Sequence, residues 1–71
     1  MFTIEYVVMR NARPFVTDRT AAMTTLLEEA ESTAEVAISS LRQNRPEAGP
    51  HVYQIRDERD EIVFQSWVKA T

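Results

Sequence analysis

Residues 18–44 read DRTAAMTTLLEEAESTAEVAISSLRQN. Whether this stretch is one helix, two helices, or a strand followed by a helix decides the fold. Met23, Leu27, Ala30, Ala34, Ala37 and Leu41 recur at alternating spacings of four and three, and Leu26 and Ile38 widen the stripe. That spacing gathers apolar side chains on one face of a helix with 3.6 residues per turn. Glu28, Glu31, Glu35 and Arg42 fall on the polar side, Thr17 or Asp18 suits an N-cap, and Pro46 and Gly49 mark the end. A helix over all of 18–44 would be about 40 Å long, against about 30 Å for a strand of eight or nine residues. It must therefore break or overhang its sheet. Ser32-Thr33-Ala34-Glu35 is a capping-box pattern and predicts a break near Ser32. The expectation is two helices, over 18–31 and 33–44, because Leu26-Leu27-Glu28-Glu29-Ala30 consists of good helix formers. In the alternative only 33–44 is helical, and 24–29 is a strand paired with the first.

Upstream, residues 2–9 (FTIEYVVM) alternate as a strand, with Phe2, Ile4, Tyr6 and Val8 on one face and Thr3, Glu5, Val7 and Met9 on the other. Pro14 pushes Arg13 from helical dihedrals and removes a donor, so 10–14 is a turn or loop. Downstream, 44–50 (NRPEAGP) is a loop. Two apolar-rich runs, 51–56 and 61–68, flank the polar turn of a closing hairpin. The chain thus reads as one α+β domain over 1–71. The expected form is a two-layer sandwich of order β-α-β-β, with β-β-α-β-β as the alternative. If the first and third strands are adjacent and parallel, the helix is a right-handed crossover.

Composition narrows function by exclusion. With 44% apolar and 27% charged residues the chain should fold. A 71-residue domain gains only about 3–5 kcal/mol from a single core and needs a further source of stability. Cysteine is absent and histidine occurs once, which excludes disulfides and argues against zinc. No run approaches the apolar length of a bilayer span, and Glu5 interrupts the N-terminal segment, which argues against a signal peptide. A cytoplasmic protein is expected. The net charge of −3 argues against general binding to nucleic acid phosphates.

Motifs of catalysis are missing. One glycine cannot build a phosphate-cradling loop, and neither G-x-S-x-G nor H-E-x-x-H is present. His51 is the only imidazole, and its ordinary role is that of a surface histidine at a strand start. Residues 57–61 (DERDE) lack the glycine and ligand spacing of a calcium loop and suit a polar turn. Arg10, Arg13 and Arg19 form a modest basic cluster around Pro14. No catalytic, cofactor or metal residues are assigned. The pattern I-R-D-E-x-D-E-I-V-F, following the helical STAEVAISSL, resembles many small bacterial α+β proteins and the helix-plus-strand segment of small antitoxin domains. That likeness covers half of the chain and holds no diagnostic residue.

The closing hairpin raises the functional question. Tyr53, Ile55, Ile62, Phe64 and Val68 would point one way, and Val52, Val63 and Trp67 the other. One helix covers one sheet face. The second face would present Val7, Met9, Val52, Val63 and Trp67, an apolar patch that a small monomer keeps exposed only at the risk of aggregation. Packing of two sheets in a homodimer covers it. The alternative is that the 10–19 segment, with Phe15 and Val16, folds over the sheet. The leading expectation is a non-enzymatic homodimeric interaction or regulatory protein. The second is an acidic inhibitor or antitoxin-like protein, phage-encoded in one version, whose Glu28, Glu31 and Glu35 meet a basic protein. The third is a small-ligand binder at a dimer interface, using His51, Tyr53 or Trp67.

Overall fold

The computed structural model describes residues 1–47 and 49–68. Strands β1 (Phe2–Arg10) and β2 (Arg13–Ala22) precede helix α1 (Leu27–Asn44), and strands β3 (Val52–Arg56) and β4 (Ile62–Gln65) follow it. The four strands form one sheet in the order β2-β1-β3-β4, and each neighbouring pair is antiparallel. The fold is α+β, one helix with a four-stranded antiparallel sheet.

Several expectations change. The helix starts at Leu27, not near residue 18, and residues 13–22 are a strand. The element order is therefore β-β-α-β-β, although its second strand lies before residues 24–29. The first and third strands are adjacent but antiparallel. The cause is a tight hairpin. Asn11 and Ala12 both have positive φ, 51° and 63°, as a two-residue type I′ turn requires. That turn returns the chain directly onto β1, pairing Arg10 with Arg13 through to Phe2 with Ala22. Pro14, which cannot donate to a ladder, is tolerated because β2 is an edge strand.

The helix also does not break at Ser32. Thr33 instead donates to the Glu29 carbonyl one turn earlier (2.9 Å), a bond made within a continuing helix. At 18 residues α1 is about 27 Å long, so it matches the sheet without a kink. The Leu26 N-cap position makes no side-chain cap bond. Thr24 stands in for it, accepting from the Leu26 N–H and donating to the Glu29 carboxylate. Glu28 and Glu29 in the first turn suit the positive end of the helix dipole.

The core lies between α1 and the central strands. Ile4, Tyr6, Tyr53 and Ile55 from the sheet meet Ala30, Ala34 and Ile38 from the helix, with Phe2, Leu27, Leu41 and Phe64 around them. Tyr53 and Phe64 add a tilted ring pair with centroids 5.6 Å apart. The alanines let α1 approach closely, and each fully buried isoleucine contributes about 1.5–3 kcal/mol. At the helix exit, buried Gly49 donates to the Arg45 carbonyl. A Cβ there would sit 2.6 Å from that oxygen and 3.2 Å from the Arg42 Cα, so only glycine fits.

The strands are unequal. β1 pairs with β3 only over Thr3–Val7, whereas its last residues, Val8–Arg10, pair with β2 alone. Residues 8–15 therefore project past the four-stranded region as a two-stranded arm. The segment 10–19 does not fold over the sheet. It lies within the sheet, leaving Phe15 and Val16 50% and 39% exposed.

Candidate functional site

The face turned away from α1 carries a polar centre. Cross-strand register sets Arg19, Glu5 and Gln54 side by side on β2, β1 and β3, and Gln65 follows on β4. The Glu5 carboxylate accepts hydrogen bonds from Arg19 Nε (2.8 Å), Gln54 Nε2 (2.6 Å) and Arg56 Nε (2.7 Å). Gln54 in turn accepts from Gln65 (3.2 Å), so the chain of contacts crosses all four strands. Arg56 also donates to the Asp60 carbonyl, tying the β3–β4 turn to the same group.

Among the described residues no second layer covers this face, yet Glu5 is only 3% exposed. Its cover is one side chain thick and consists of its own partners. Arg56 is 28% exposed and Arg19 67%. Burial works against the charge on Glu5, but the bonds from Arg56, Arg19 and Gln54 outweigh it and hold the carboxyl below its usual range. Thr3, Glu5, Arg19, Arg56 and Asp60 line an open basin of about 400 Å³ there. A carboxylate committed to three donors is a poor general base, and this cluster reads as a device that joins strands.

Two tyrosines lie under the helix. Burial pushes the Tyr53 hydroxyl up to about 12, and the carboxylates of Glu35 and Glu31 add to the shift. Burial also raises Tyr6, with Asp18 adding to it. The Tyr6 hydroxyl has no hydrogen-bond partner among the described residues. At the helix exit Arg45 donates to Asp18 (2.8 Å), fastening that end of α1 to β2. That contact and Thr17 hold the Asp18 carboxyl low.

The expected interface residues are only partly brought together. Val7 lies between Val16 and Val52 in cross-strand register and is fully buried, while Val52 is half-buried. Met9 lies on the arm and is exposed. Val63 sits apart on β4, at a bulge that skips it and sets Ile62 opposite Arg56. This bulge moves Ile62 out of the Ile55–Phe64 row. Trp67 is half-buried in the turn after β4. The second face is therefore apolar only around a charged and amide centre.

Of the acidic row, Glu28 and Glu35 are exposed and Glu31 is half-buried. His51 is exposed. The basic cluster splits, since Arg19 belongs to Glu5 while Arg10 and Arg13 face each other across the arm. Sequence reasoning missed the Glu5 network. Its one local signal was a single charge in an otherwise apolar strand. Among the described residues no group of His, Cys, Asp and Glu is placed to hold a metal ion, and no helix is long and apolar enough to cross a membrane. No family model, curated protein or solved structure matches this chain.

Proposed function

We propose that this chain is a small non-enzymatic protein that acts by association, first with a second copy of itself, in a two-layer arrangement of helix and sheet. The observation that carries the reading is the amount of large apolar surface left uncovered outside the core. Phe15 is 50% exposed, Ile62 43%, Val63 40%, Val16 39% and Met9 38%. A domain this small has little core to spare, and self-association is one of the few remaining sources of burial. The β2 edge discourages strand-to-strand pairing. Arg13, Pro14, Asp18 and Arg19 line it, and the register slips opposite Tyr6 and Val7.

Light scattering tests this reading. A dimer should give twice the 8.2 kDa of one chain at micromolar concentration. A mass of one chain that persists to about millimolar concentration, where even weak pairs form, would sink it. Val63→Glu and Trp67→Ser report whether the second face takes part.

A second reading uses the helix. Glu28, Glu29, Glu31 and Glu35 give α1 an acidic flank suited to a basic protein, for which this chain would be an inhibitor. Binding of that kind weakens steeply with salt. A partner affinity unchanged between about 0.05 and about 0.5 M salt would exclude it.

A further inference from the structure

The arm and the start of the helix expose groups of complementary kinds. On the arm, Arg10 and Arg13 stand directly opposite each other, and neither joins an ion pair among the described residues. Like charges in that position repel, and a two-stranded ribbon is marginally stable by itself. The arm also exposes Met9, Phe15 and Val16. At the other end of the molecule, Met1, Met23, Thr24, Thr25, Leu26 and Glu29 line an open groove of about 400 Å³, where the Met1 ammonium is paired with Glu58. Met23 is 78% exposed and Leu26 57%. Glu29 is part of its lining, and Glu28 precedes it in the first turn of α1.

The arm cannot reach this groove in its own chain. The Arg45–Asp18 bridge fixes the far end of α1 at the level of Tyr6. The start of α1 follows Ala22, which pairs with Phe2 at the opposite end of β1. The arm begins beyond Val7 and points away from that end. Basic and apolar groups thus leave the domain at one pole, and acidic and apolar groups at the other.

We infer that the β1–β2 arm of one copy docks in the helix-start groove of a second copy, with Arg10 and Arg13 against Glu28 and Glu29 and Phe15 against Met23 and Leu26. Each copy has one arm and one groove, and an antiparallel pair about a two-fold axis fills both at once, whereas a head-to-tail contact leaves one of each open. The second copy is favoured over a foreign acidic protein because the groove matches the arm in both charge and apolar character. This inference rests on the self-association reading and names its surfaces.

Sedimentation of the full chain tests it, using Arg10→Glu/Arg13→Glu, Glu28→Arg/Glu29→Arg and their mixture. Either charge reversal alone should weaken the dimer at least about tenfold, and mixing the two should restore a pair. Arg13→Glu alone places opposite charges across the arm and keeps it folded, and it should still weaken the dimer. A wild-type dimer whose affinity neither reversal changes by about twofold overturns the docking but leaves self-association standing. A mass that climbs with concentration beyond two copies overturns the closed pair. A wild-type monomer at every concentration overturns both.

Discussion

The two halves of β1 share a strand, an alternating pattern and a partner in β2, yet they live in different environments. Thr3–Val7 has a strand on each side, and there the helix closes one face and the Glu5 cluster the other. Val8–Arg10 has β2 alone. The same kinds of residue, Ile4 and Met9 for example, are fully buried in one half and 38% exposed in the other. Alternation sets the side to which a residue points. Neighbours decide whether that side is covered.

Several substitutions would sharpen or break this contrast. Ile4→Ala should cost about 3–4 kcal/mol in urea unfolding at low protein concentration, and Met9→Ala less than about 0.5. Equal costs would mean that the arm is packed as firmly as the centre. Glu5→Ala should cost about 2–3 kcal/mol at neutral pH. This is below the range for a fully buried pair, because Arg19 is 67% exposed and solvent screens it.

The same carboxyl sets an acid limit. Its folded value is depressed, so its contribution is complete above the unfolded value of 4.5 and is lost as pH falls through the folded one. Glu5→Gln should flatten that slope, and an unaltered acid midpoint would refute the assignment. Tyr53 sets the opposite limit. Its raised value means stability complete below 10 and declining as pH climbs toward about 12.

On the arm side, Ala12 has φ 63°, which an alanine adopts at a cost of about 1 kcal/mol. Ala12→Gly should recover about that much and leave the centre of the sheet unchanged. Loss of stability would show that the turn differs from a type I′ hairpin. The smallest effect is expected at Tyr6, whose buried hydroxyl has no partner among the described residues. Tyr6→Phe should be neutral within about 0.5 kcal/mol or slightly stabilising. A loss above about 1 kcal/mol would reveal a bond to that oxygen.

The elements that sequence makes legible are those whose own burial imposes a period. Ala30, Ala34, Ala37 and Leu41 mark α1 because its inner face packs on the core, and the closing hairpin stands out between polar turns. β2 was invisible for the opposite reason. It is an edge strand of which only Ala22 is buried, so no apolar alternation forms, and Pro14 reads as a breaker. Met23 fits the helical stripe by spacing alone, yet it lies outside the helix at 78% exposure. The Glu28, Glu31 and Glu35 row could be read because it lies within one helix. The Glu5 cluster could not, because its three donors come from two strands, β2 and β3, whose pairing with β1 no local pattern states. The bulge at Val63 likewise changes which side chains share a face without leaving any mark in composition.

Glu5 also gives the fold an order in time. Gln54 and Arg56 lie 49 and 51 residues further along the chain. Until β3 arrives, the inner edge of β1 has no ladder, and its carboxylate has only Arg19. Contacts closed over so long a loop form late and slowly. The hairpin that appears first therefore spends its early life as the exposed, incomplete half of a sheet. Throughout that interval an ionised glutamate sits on its open face, a charge that deters premature pairing with another chain.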